Sequence, residues 1–98
     1  MTLTKTQNAD NLTIALEGRL DTTTAPELEA ELNASLPGVK ALTLDFTSLD
    51  YISSAGLRVV LSAQKTMSKQ GGMKLTGVSA DIMEVFEITG FSDILTIE

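Results

Sequence analysis

The stretch 43-TLDFTSLDYISSAGLRVVL-61 decides how the chain is read. Its first half, with 39-VKALTLDF-46, reads as a strand that alternates only loosely and is bounded by short loops, which is the pattern of an interior strand. Its second half starts a helix. From Ser54 to about Lys69, Leu57, Val60, Leu61 and Met67 recur at helical spacing, while Arg58, Lys65 and Lys69 fall on the opposite side. Between the two lies a loop, 47-TSLDYI-52, and then two serines, an alanine and a glycine. Ser53 or Ser54 can cap the helix, because a serine hydroxyl accepts a hydrogen bond from a first-turn N–H, a contribution of roughly 1 kcal/mol. The cap leaves Gly56 unexplained. Glycine in a first turn costs up to about 1 kcal/mol of helix propensity, so its presence implies a close approach to that backbone.

Outward from this junction the pattern repeats. Toward the N-terminus, residues 2 to 7 alternate loosely, Asn8-Ala9-Asp10-Asn11 supplies turn chemistry, and Leu12, Ile14 and Leu16 alternate with Thr13, Ala15 and Glu17: a hairpin. Next, 18-GRLDTTTAPELEAELNASLPG-38 carries a helix with Leu28, Leu32 and Leu36 as its apolar stripe. Thr24 and Glu27 have the spacing of a capping box, Pro26 suits a first turn, and Pro37-Gly38 ends the helix. Toward the C-terminus, Gln70-Gly71-Gly72 stops the second helix and Met73 to Val78 reads as a strand. Ser79 caps a third helix with Ile82, Val85 and Phe86 inward, Gly90 closes it, and 94-ILTIE-98 has the character of a last edge strand. The order β-β-α-β-α-β-α-(β) predicts one α/β domain over residues 1–98. Its mixed sheet has an antiparallel hairpin, right-handed parallel crossovers and helices packed mainly on one side. Sites in such sheets collect beyond the C-terminal ends of strands. The segments 18-GRLDTTT-24 and 47-TSLDYISS-54 are expected to meet there.

Composition narrows the chemistry. The 98 residues contain 43% hydrophobic side chains, neither cysteine nor histidine, and a net charge of −6. Disulfides, thiolate or imidazole metal sites, and Ser-His-Asp or Cys-His nucleophile systems are thereby excluded. The acidic balance argues against nucleic acid and anionic membrane surfaces. No apolar run approaches the roughly 18 residues of a membrane span, and the N-terminus has no continuous apolar signal core. The expectation is a cytoplasmic protein without cofactor, metal or catalytic residues. There is no G-x-x-x-x-G-K-[ST] phosphate loop. Asp45 sits at a strand end, and Glu27, Glu29 and Glu31 read as a solvated helix face.

Three segments together carry a family resemblance: 18-GRLD-21, 43-TLDFTSLDYISSAGLRVVL-61 and 71-GGMKLTGVSADIMEVFEITGF-91. In that order, over nearly the whole chain, they resemble a STAS domain, and in particular a bacterial anti-sigma factor antagonist. The resemblance implies a binding module that takes an anti-sigma factor, itself a serine kinase, away from a sigma factor. Phosphorylation of one serine prevents binding and a serine phosphatase restores it. Ser54-Ala55-Gly56-Leu57 matches the family's Ser-small-Gly-Leu, which makes Ser54 the implied phosphorylation site. Many members have aspartate immediately before that serine. Ser53 stands there in this chain and remains a second candidate. Asp21 matches the family's acid in the first loop. The implied partner-binding set is Asp21, Thr22, Asp50, Ser53, Ser54, Ala55, Gly56, Leu57 and Arg58. The alternative within the family is a constitutive STAS assembly subunit of a transporter or signalling complex, without a kinase cycle.

Overall fold

The computed structural model describes residues 1–98. Strands β1 (Thr2–Asn8) and β2 (Asn11–Leu20) form the antiparallel hairpin. Its two-residue turn needs a positive φ, which Ala9 supplies at 57°. Helix α1 (Ala25–Ser35), strand β3 (Ala41–Ile52), helix α2 (Ser54–Gln70), strand β4 (Gly72–Thr76) and helix α3 (Ala80–Thr89) follow. A short 3₁₀ turn covers Phe91–Asp93. The sheet order is β1-β2-β3-β4, with β3 parallel to both of its neighbours.

That order explains why the helices share one side. Each parallel step moves one strand further in the same direction, so two right-handed crossovers place α1 and α2 on the same face. Leu12, Ile14 and Leu16 of β2, Leu42, Leu44 and Phe46 of β3, and Met73 and Leu75 of β4 point toward that face and are buried. Leu28 and Leu32 of α1, Leu57, Val60, Ala63 and Met67 of α2, and Ile82 and Phe86 of α3 complete a single core. Full burial of such a side chain contributes about 1.5–3 kcal/mol relative to exposure. Leu61, expected inside, is half-buried, as is Val85. The opposite sheet face carries Thr13, Ala15, Thr43 and Asp45, none of them fully buried. No helix is long and apolar enough to cross a membrane.

Three expectations are corrected here. The segment 47–52 is not a loop: β3 runs on through Ile52. Two register shifts against β2, between Ala15 and Glu17 and between Gly18 and Arg19, each add a residue to β3. The buried positions consequently change from alternation to a spacing of three, at Phe46, Leu49 and Ile52. At the other end, Val39 and Lys40 lie before the strand. The C-terminal segment is less regular than expected. Only Ile97 bridges β4, at Leu75, with the Leu75 and Glu98 N–H groups each donating across at 2.9 Å. Finally, Thr24 and Glu27 form no capping box. The Thr24 hydroxyl is spent elsewhere, accepting from the Asp21 N–H at 2.8 Å and donating to the Arg19 carbonyl at 2.7 Å.

Candidate functional site

The two segments expected to meet do so at the C-terminal ends of β2 and β3. Leu20 lies opposite Ile52 and Arg19 opposite Tyr51. The Ser53 N–H donates to the Leu20 carbonyl at 2.8 Å, which fixes the start of α2 directly against the end of β2. From there Thr22, Ala25, Pro26 and Glu29 face Ala55, Arg58 and Val59 across an open groove between α1 and α2.

The two serines have different positions. Ser53 is the N-cap, in extended backbone, and its hydroxyl oxygen accepts from the Gly56 N–H at 3.3 Å. Ser54 is the first helical residue, is exposed, and has no hydrogen-bond partner for its hydroxyl among the side-chain bonds of the protein. No acid stands in the first turn of α2, so the positive end of a 17-residue helix dipole is uncompensated by the chain's own carboxylates there.

Asp21 begins the turn between β2 and α1. Its Oδ1 accepts from the Thr23 hydroxyl at 2.7 Å, from the Thr23 N–H at 3.0 Å and from the Thr24 N–H at 3.1 Å. The carboxylate thus fastens the turn that leads into α1, while the first-turn N–H groups of the helix receive no side-chain cap. The Thr23 hydroxyl first, and then the Thr24 N–H, hold the Asp21 carboxyl below its ordinary value of 3.8. Its Oδ2 lies 3.8 Å from Nε of Arg19, and the Arg19 guanidinium sits 4.2 Å from the centroid of the Tyr51 ring. Cation–π contact of this kind contributes about 0.5–1 kcal/mol at exposed sites. Asp45 repeats the Asp21 device inside β3: the Thr47 hydroxyl first, then the Thr47 N–H, lower its pKa from 3.8. Glu31 leaves the solvated set, pairing with Lys5 at 3.2 Å.

The depressed carboxyls give a signed pH dependence. A group whose folded pKa lies below its unfolded value stabilises fully above the unfolded value and loses that contribution as pH falls through the folded one. Wild-type protein is therefore expected to lose stability below about pH 4 faster than an Asp21→Asn/Asp45→Asn variant. Urea midpoints stepped downward from pH 7 check this. Parallel curves for the two proteins would remove both carboxylates from the acid limb.

The remaining expected site residues divide by burial. Thr22, Asp50, Ser54 and Arg58 are exposed and Ala55 is half-buried. Asp50 occupies the second register shift of β3 and has no ion-pair partner. Gly56 and Leu57 are buried, Leu57 with 6% of its surface exposed, in keeping with Leu57 on the inward side of the helix. The close approach at Gly56 comes from the protein's own core. A Cβ there would stand 2.6 Å from Leu20 Cγ and 3.0 Å from Ile52 Cγ1. Gly56→Ala is expected to destabilise by about 0.5–2 kcal/mol, since overpacking of about 1–3 outweighs a helix-propensity gain of up to about 1. A thermal melt reads this directly, and a raised midpoint would contradict the packing account. Arg19 and Tyr51 are the site residues that sequence reasoning missed. Their only signal was their place two residues before Asp21 and Ser53, and their pairing depends on the second register shift.

Fold and site together define a one-sided, mixed-sheet α/β domain that presents a free serine hydroxyl at a helix start. The chain belongs to the STAS domain family, whose model matches residues 2–98. It is similar to BtrV of Bordetella bronchiseptica, a candidate anti-sigma factor antagonist, with 44% identity over 90% of this chain and 78% of that one. It is 33% identical to the anti-sigma-B factor antagonist of Listeria monocytogenes, covering 96% of this chain and 84% of that protein. Among solved structures, the fold is shared with the anti-sigma factor antagonist SpoIIAA in its unphosphorylated form (TM-score 0.78, 18% identity, 99% of this chain and 87% of that one). The phosphorylated form of SpoIIAA, from Bacillus, gives a TM-score of 0.77 at 19% identity, covering 99% and 91%.

Proposed function

We propose that this protein is an anti-sigma factor antagonist switched at Ser54. Unmodified, it binds an anti-sigma factor that is also a serine kinase, and so releases a sigma factor. It acts by binding, with no catalytic residue of its own. The observation that carries this reading is the division of labour between the serines: Ser53 spends its hydroxyl on the cap, while Ser54 keeps its own exposed and unbonded. Ser54 is therefore favoured over Ser53 as the phosphoryl acceptor.

In the transfer, Ser54 Oγ forms a bond to the γ-phosphorus of ATP held by the kinase, and the bond from that phosphorus to the ADP oxygen breaks. The hydroxyl proton passes to a base on the kinase. Asp21 is a poor candidate for that base, because the Thr23 and Thr24 donors at its Oδ1 lower its affinity for a proton. Hydrolysis by a serine phosphatase returns the hydroxyl and releases inorganic phosphate. The uncompensated α2 dipole tolerates the added anion within the folded chain. Similar TM-scores to both forms of SpoIIAA accord with a switch that keeps its fold.

The test is incubation with the cognate anti-sigma factor and ATP, followed by intact mass. One added phosphoryl group on the wild type and none on Ser54→Ala is the expected result. Addition to Ser54→Ala would move the site to another hydroxyl. Stable binding of both proteins with no addition to either would favour a constitutive assembly subunit.

A further inference from the structure

Arg58 stands one helical turn after Ser54, at the i,i+4 spacing that brings side chains together on a helix surface. Both residues are exposed. Arg58 takes part in none of the protein's ion pairs. The other arginine at this end of the sheet, Arg19, is already held by Asp21 and stacked on Tyr51. Lys5 and Lys74 are paired elsewhere. An acid N-terminal to a base at this spacing is the favourable orientation, and an arginine fork matches phosphate oxygens.

We propose that Arg58 is the internal counter-ion of phosphorylated Ser54. In the unmodified chain Arg58 lines the groove with Thr22, Pro26, Glu29 and Ala55. On modification its guanidinium turns back one turn and donates to the phosphoserine oxygens. The phosphate therefore adds charge to the docking face and also withdraws an arginine from it. This deepens the reading of Ser54 as the switch and rests on it. The charged side chains on the elements meeting there are Glu17 and Arg19 of β2, Asp21 of the β2–α1 turn, Glu27, Glu29 and Glu31 of α1, Asp45 and Asp50 of β3, and Arg58, Lys65 and Lys69 of α2. The acids raise the second phosphate pKa and the arginines lower it.

The experiment installs phosphoserine at position 54 of the full chain during synthesis, so that no kinase is needed, and follows the phosphate by ³¹P NMR as pH is varied. Its second pKa, ordinarily about 6, is expected to be lower in wild type than in Arg58→Gln by at least about 0.3 unit. Arg58→Lys is expected to recover part of the difference, and Arg19→Gln to leave most of it in place. Unfolding midpoints confirm that each variant is folded at the pH values used. Superimposable titrations of wild type and Arg58→Gln would overturn the assignment, as would a shift lost only in Arg19→Gln. Neither result depends on the partner. Failure of the clamp is thus separable from failure of the kinase cycle, which is read by addition of phosphate to Ser54.

Discussion

Phosphoserine at position 54 is expected to weaken docking to the anti-sigma factor by about 100- to 1,000-fold, a cost of roughly 3 to 4 kcal/mol. The added group carries about −1.5 to −2 charges. It enters a face that already holds Asp21, kept ionised by its threonine donors, and the unpaired Asp50. In a docked interface water is excluded, and an unmatched dianion meets both desolvation and repulsion. In the free chain the same group lies at the start of α2, where the dipole favours an anion by about 0.3–1 kcal/mol. The penalty consequently falls on the complex and not on the fold. Ser54→Asp, with a single charge and a shorter reach, is expected at the lower end of the range, and Ser54→Ala close to wild type. Titration calorimetry with the purified anti-sigma factor measures the ratio, and urea unfolding measures the fold. Equal affinities for modified and unmodified chains would sink the account. So would a phosphorylated chain that no longer unfolds cooperatively.

Phe86→Ala is expected to cost about 3–5 kcal/mol of stability. Phe86 is fully buried, and its ring centroid lies 6.3 Å from that of Phe46 in β3. Only Ile82 and Phe86 of α3 are buried, so truncating one removes much of what holds that helix to the sheet. Total stability for a domain of this kind is about 5–15 kcal/mol. The variant is therefore expected to melt more than about 10 °C lower, if it folds at all. Phe86→Leu, which preserves most of the apolar volume, is expected to lose far less. A loss under about 1.5 kcal/mol for the alanine variant would mean that α3 is not anchored through this ring.

The parts of the fold written in simple periodicity were legible in the sequence. Leu12, Ile14 and Leu16 alternate, Leu28, Leu32 and Leu36 keep helical spacing, and Ser79 caps α3 through the Ile82 N–H at 3.3 Å. The second half of β3 was not legible. Its two extra residues break the alternation that identifies a strand, and Leu49 and Ile52 look like loop residues until β2 supplies the register. The cap of α1 was misread for a local reason. The Thr24 hydroxyl is drawn back toward the end of β2, bonding the Asp21 N–H and the Arg19 carbonyl, and the Glu27 N–H goes to the Thr24 backbone carbonyl instead. At the site, the Ser-small-Gly-Leu pattern located the exposed hydroxyl. Sequence alone left open which serine caps α2, because either hydroxyl is close enough to bond a first-turn N–H. Gly56 was noticed for a sound reason, but the neighbour that crowds it is internal.

The contact between Arg19 and Tyr51 has a practical consequence. The chain has one tyrosine and no tryptophan, so its tyrosine emission comes from a single ring beneath a guanidinium, three residues from Ser54. Nature has thereby built a label-free optical probe into the molecule, able to report in real time any event that disturbs this end of the sheet.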